Sequence, residues 1–144
     1  MANEEPTDGR TVMFVCLHGS AKSLIAAEHF ERLAATRGVA IRSASAGLEP
    51  DPEIPPRVVA GLLEDGIDVR GRRPRPAIAD ELARAWRVVS FGCDLGGLLP
   101  AGASVERWDD IPAVSADFDA ARRAIVNRLE ALLARCAAPP AALA

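Results

Sequence analysis

Thr11-Val-Met-Phe-Val-Cys16-Leu-His-Gly-Ser-Ala-Lys-Ser23 changes character at its cysteine. Up to Cys16 it is a short apolar run of strand formers, which reads as a buried strand. Leu17 to Ser23 are mostly small or polar, the composition of a tight strand-to-helix turn. Leu24 onward turns helical: Ala26, Ala27, Phe30, Leu33 and Ala34 fall on one stripe, and Gly38 supplies the stop. Strand, turn and helix in that order are the opening of a βαβ unit.

The rest of the chain repeats the alternation. Val39 to Ser45 reads as a second strand ended by Ala46-Gly47. A helix starts at Pro55-Pro56, buries Val58, Val59, Leu62 and Leu63, and closes at Gly66. Asp68 to Pro76 is a basic loop broken by prolines, and Ala79 to Ala85 a short helix. Trp86 to Phe91 is a third strand, Gly92 to Gly102 a turn-rich stretch, and Ser104 to Arg107 a brief fourth strand. The last helix runs from about Ser115 to Cys136, with Phe118, Ala121, Ile125, Leu129, Leu132 and Cys136 on one face. The predicted fold is α/β, a single doubly wound domain with a four-stranded parallel sheet and helices on both faces. Residues 1–10 and 137–144 are expected to be flexible ends around a domain at 11–136.

In such sheets ligands bind beyond the carboxyl ends of the strands, where Cys16 lies. Backbone N–H groups of the turn form a concave nest, and the following helix adds its positive end. A phosphate-sized anion fits that cradle. The same field favours thiolate over thiol, and a thiolate facing an oxyanion is a nucleophile in position. Leu17, His18, Gly19, Ser20 and Ala21 would line the cradle, with the small residues admitting close backbone approach. Lys22 supplies a positive charge and Ser23 a hydrogen bond to the sulfur. Against this stands the ordinary reading of a buried cysteine as a small inert hydrophobe. The octapeptide from Cys16 to Ser23 does not decide between them.

Composition narrows the field. The chain has 144 residues and a net charge of -3, which gives no basic footprint for nucleic acid. No apolar run approaches the roughly 18 residues of a membrane span, and the start is polar rather than basic, so a cytoplasmic location is expected. Cys16, Cys93 and Cys136 show neither a disulfide framework nor zinc spacing, so no metal and no cofactor are expected. Cys136 reads as core and His29 as helix surface. Of the 17 basic residues only Lys22 is a lysine, so an ammonium at that position is no reflection of general usage.

Several ordered strings extend the picture. VMFVCLHGSAKS stands where a Cys-x5-Arg-Ser loop would, Ser45-Ala46-Gly47 ends the second strand, EDGIDVRGRRPR covers Glu64 to Arg75, and RVVSFGCD covers Arg87 to Asp94. Together, over about residues 11 to 136, they resemble the low-molecular-weight protein tyrosine phosphatases and the arsenate reductases that share their fold. The resemblance implies Cys16 as nucleophile, with Lys22 in place of the family's arginine. A guanidinium grips two oxyanion oxygens at once, whereas an ammonium acts as a point charge. The family's general acid is an Asp followed by Pro. Here Trp108-Asp109-Asp110-Ile111-Pro112 makes Asp110 the first choice and Asp109 the second, unless either simply caps a turn. Cys93 stands where a reductase has a second, resolving thiol, although an ordinary buried thiol fits as well.

Three functions follow from these residues. One is a phosphatase acting on a phosphate monoester through Cys16. Another is an arsenate reductase, with Cys93 or an external thiol donor completing the reduction. The third is a module that holds an oxyanion or phosphorylated partner without turnover. With no tyrosine in the chain and Trp108 the one aromatic well placed to line a substrate slot, a small phosphorylated molecule is favoured over a phosphoprotein. Arg70, Arg72, Arg73 and Arg75 either draw anions toward the site or form a solvated loop.

Overall fold

The computed structural model describes residues 9–100 and 103–137. Strand β1 spans Thr11–Cys16, helix α1 Lys22–Thr36, β2 Arg42–Gly47, α2 Pro56–Glu64, α3 Ala79–Arg84, β3 Arg87–Ser90, β4 Glu106–Arg107 and α4 Phe118–Ala137. A single 3-10 turn, Gly96–Leu98, lies in the glycine-rich stretch after β3. The four strands form one sheet in the order β2-β1-β3-β4, and every pairing is parallel. This is the α/β sheet with covering helices that the alternation predicts.

Alternation along β1 splits the core. Val12, Phe14 and Cys16 face a large cluster with α1, α2 and α4, while Met13 and Val15 face a smaller one with Leu82 of α3, Val88, Cys93 and Leu95. The aromatic residues are concentrated on the thicker side. Phe14 packs at 5.9 Å from Phe30 and 6.0 Å from Trp108, and Phe91 meets Trp108 edge-on at 5.5 Å. Cys136 is buried at the end of that core, as its place on the last helix predicts.

Element ends move for reasons that hydrogen bonds make plain. Gly38, at φ +69°, sends its N–H to the Ala35 carbonyl, and the Val39 N–H goes to Ala34. This closing motif spends the Val39 amide on α1, so β2 begins at Arg42 rather than Val39. Gly66 and Ile67 close α2 in the same way on Leu63 and Leu62. At the start of α4 the Asp117 carboxylate accepts the Ala120 N–H at 3.0 Å, which sets the beginning at Phe118 and not Ser115. β2 is an edge strand, but its Ser43 N–H donates to Glu31 and its Gly47 pairs with residues 75–77.

His29 is a correction. It is buried, not a surface residue, because α2 ends beside it and offers a partner. His29 Nε2 lies 3.2 Å from Asp65, and Asp65 also accepts Arg122 of α4 at 3.0 Å. One carboxylate thus joins three helices. It can only accept, so the neutral ring carries its proton on Nε2. Burial holds this imidazole below its ordinary 6.5, with Asp65 opposing the shift and Arg32 and Arg122 adding to it.

Two measurements follow. The unfolded chain takes up the His29 proton first, so stability is full above pH 6.5 and is lost as pH falls below it, toward the folded value. Urea denaturation across that range should show the slope, and His29→Gln should flatten it. A second variant tests the packing of α2 on α4. A Cβ on Gly61 would sit 2.3 Å from the Phe118 ring, so Gly61→Ala should cost about 1–2 kcal/mol in the same assay, overpacking outweighing its helix propensity.

Candidate active site

β1 ends at Cys16, directly opposite Gly47 of β2, and the chain must then turn into α1 within five residues. That turn is possible because two backbones nearly touch. Gly19 adopts φ +65°, and a Cβ there would lie 2.6 Å from the Gly47 nitrogen. A Cβ on Gly47 would lie 2.5 Å from both the Gly19 nitrogen and the His18 carbonyl carbon. Only two facing glycines permit the contact.

Residues 48–51 fasten the outer side of the loop. The carbonyls of Cys16, Leu17 and His18 accept the N–H groups of Leu48 (3.3 Å), Glu49 (2.7 Å) and Asp51 (3.2 Å). With its carbonyls drawn that way, the loop sends the Gly19 N–H to the Cys16 sulfur at 3.2 Å. Ser23 Oγ approaches the same sulfur at 3.0 Å. An ionised sulfur only accepts, so with the thiolate present the Ser23 hydroxyl is the donor. Two donors therefore converge on Sγ. Ala21 precedes α1 and has no capping side chain, and no acid occupies the first turn. The leading amides of a fifteen-residue helix are left for an anion.

The remaining loop residues take distinct places. Leu17 and His18 are exposed at the rim, Gly19 and Ser20 are buried, and Ala21 and Lys22 are half-buried. Among the described residues no carboxylate lies within ion-pair range of Lys22. Its charge is uncommitted. The Arg-rich loop differs: Arg70 pairs with Asp68, Arg72 with Glu28 and Arg75 with Glu81. Hydrogen bonds from Arg70 hold the Asp68 carboxyl down at about 2. That pattern is a solvated, largely neutralised loop. No group of three or more His, Cys, Asp or Glu side chains among the described residues is arranged to hold a metal ion.

Trp108 requires a second correction. It was expected to line a substrate slot, yet it is 1% exposed, its ring packed between Phe14 and Phe91 and its Nε1–H donated to Glu106 at 2.8 Å. The ring offers no open face. Its neighbours Asp109 and Asp110 do reach the surface beyond β4. Asp109 pairs with Arg107 at 3.0 Å and Asp110 with Arg128 of α4. Cys93 is buried in the smaller core cluster, on the side of the sheet opposite Cys16, with its sulfur 3.7 Å from the Val15 carbonyl oxygen. Asp51 was missed from sequence. It lies 31 residues from Ser20, in a segment whose only signal is acidity right after the Ser45-Ala46-Gly47 string, yet its carboxylate accepts the Ser20 hydroxyl at 2.8 Å.

Fold and loop together define a class, and comparison with known proteins agrees. A model of the low molecular weight phosphotyrosine protein phosphatases matches residues 11–98. The chain belongs to that family. Solved structures similar to it include a thioredoxin-dependent arsenate reductase from Corynebacterium glutamicum, at 26% identity and TM-score 0.73. That match covers 88% of this chain but 61% of the reductase, so the chain spans about three-fifths of that relative. An arsenate reductase in a phosphate-binding state is similar at 27% identity and TM-score 0.70, over 89% of this chain and 99% of the other. A low-molecular-weight protein tyrosine phosphatase from T. tengcongensis shares the fold at 16% identity and TM-score 0.67, over 88% and 99%. No curated protein matches the chain. Among the described residues no helix is long and apolar enough to cross a membrane.

The glycine contact can be tested directly. Gly47→Ala should push the loop off β2, costing about 1–3 kcal/mol of stability. Phosphate is expected to raise the melting temperature of the wild type, and that rise should vanish in this variant.

Proposed function

We propose that this chain is a cysteine-dependent phosphatase-like enzyme acting on a small phosphate monoester. The observation that carries the reading is the sulfur of Cys16 held by the Gly19 N–H at 3.2 Å and by Ser23 Oγ at 3.0 Å, at the mouth of an uncapped helix. Cys16 as thiolate attacks phosphorus, an S–P bond forms, and the P–O bond to the leaving group breaks. The departing oxygen takes a proton from a carboxylic acid, for which Asp110 and then Asp109 are the candidates beyond β4. Water next attacks the cysteinyl-phosphate, releasing phosphate and restoring the thiolate, which Ser23 stabilises as leaving group. Lys22 contributes a point charge to the oxyanion where a guanidinium would contribute two hydrogen bonds.

A second reading, arsenate reduction, is supported by the two arsenate reductases at 26% and 27% identity. In that chemistry Cys16 attacks arsenate, an As–S bond forms as an As–O bond breaks and water leaves, and a further thiol then takes the arsenic-bound sulfur into a disulfide while arsenite departs with the electron pair. Cys93 lies on the other face of the sheet, which favours an external thiol donor for that step.

Hydrolysis of a chromogenic aryl phosphate separates the readings. Wild type should exceed Cys16→Ser, which should fall to background, and Lys22→Arg should gain about tenfold through bidentate binding. Equal rates for wild type and Cys16→Ser would refute phosphatase chemistry. Arsenite production with a thiol donor, unchanged by Cys93→Ser, would then point to the reductase with an external donor.

A further inference from the structure

Gly19 aims its N–H at the sulfur, and the residues on either side of it are both fastened to Asp51. On one side the Asp51 N–H donates to the His18 carbonyl at 3.2 Å, and Asp51 Oδ1 lies 3.5 Å from His18 Nδ1. On the other, Ser20 Oγ donates to Asp51 Oδ2 at 2.8 Å. Ser20 is only 2% exposed, so its hydroxyl depends on this partner. The His18 ring is steered by the same segment, because Nδ1 is 3.1 Å from the Glu49 carbonyl, which only accepts.

A carboxylate is an odd neighbour for an anion cradle. Its charge opposes the ligand that the loop is built to take, and Lys22 alone among the loop residues offsets it. Like-charge cost and mechanical gain therefore pull in opposite directions at this one side chain. The geometry favours the gain. Asp51 spans the loop with one main-chain and two side-chain contacts, and the link to Ser20 is charge-assisted and half-buried.

We propose that Asp51 is the positioning residue of the Cys16 loop, holding Ser20 and His18 so that the intervening Gly19 N–H stays on the sulfur and the cradle keeps its anion-accepting shape. This rests on the reading of Cys16 as the nucleophile of an oxyanion site. The contacts of Asp51 at the loop are with Ser20 and His18 and not with the sulfur. It acts through Ser20 and the backbone.

Two variants separate charge from clamp. Asp51→Asn keeps an oxygen for the Ser20 hydroxyl and discards the charge, whereas Asp51→Ala discards both. The readout is inorganic phosphate protecting Cys16 from iodoacetamide, followed by mass spectrometry of its peptide, alongside thermal unfolding. Phosphate should protect the wild type. Asp51→Ala should need at least tenfold more phosphate, despite having lost a repelling charge, and Asp51→Asn should return to within about threefold of wild type. Ser20→Ala should reproduce the loss, and the double variant Ser20→Ala/Asp51→Ala should lose no more than either alone, because both break one link. Ser20→Ala alone decides the matter if Asp51→Ala fails to fold. Phosphate binding by Asp51→Ala equal to or tighter than wild type would overturn the proposal, as would additive losses in the double variant. A wild type unprotected by phosphate would instead refute the oxyanion site itself, which is a different failure.

Discussion

The close approach of two glycine backbones, Gly19 against Gly47, is the constraint on which the rest depends. Parallel pairing brings Cys16 level with Gly47 at the end of β2, and the turn into α1 has room to fold back only because neither glycine carries a Cβ. From that contact the other features follow in order. The loop carbonyls find the amides of residues 48–51, the Gly19 N–H is left pointing at the sulfur, and α1 begins with its amides unclaimed. The site is thus made by sheet register first and side chains second.

Charge is distributed with the same economy. Arg70, Arg72, Arg75, Arg107 and Arg128 each meet a carboxylate, and Lys22 meets none among the described residues. An arginine at position 22 would offer a rigid fork, and the lysine offers a mobile, strongly hydrated charge instead. On the proposed reading, oriented backbone and the helix end favour an anion at the loop, and Lys22 adds a movable charge. Such an arrangement depends on how firmly the backbone is held, which is where the 48–51 segment enters.

Much of this was legible in the residues. The apolar run at Thr11–Cys16, the small polar turn and the stripe on α1 announce a βα unit by composition alone, and repeated alternation announces the parallel sheet. What stayed hidden required the third dimension. Trp108 looks like a slot wall from its neighbours Asp109 and Asp110, and only the packing of Phe14 and Phe91 shows it to be core. His29 looks like a surface residue until α2 ends beside it with Asp65. Asp51 bears no local mark beyond the acidity of its segment, since its partners Ser20 and His18 come from another strand's loop. Element ends moved wherever a closing glycine took an amide that a strand would otherwise use, as at Gly38 and Val39.

The two faces of the sheet are unequally packed. Three helices knotted together at Asp65 back the side that holds Cys16, while α3 and a single 3-10 turn back the side that holds Cys93. Local opening begins where little apolar surface is spent. By that measure the small cluster around Cys93 has less apolar packing to lose than the large one beneath Cys16, so the two thiols sit in ground of unequal firmness.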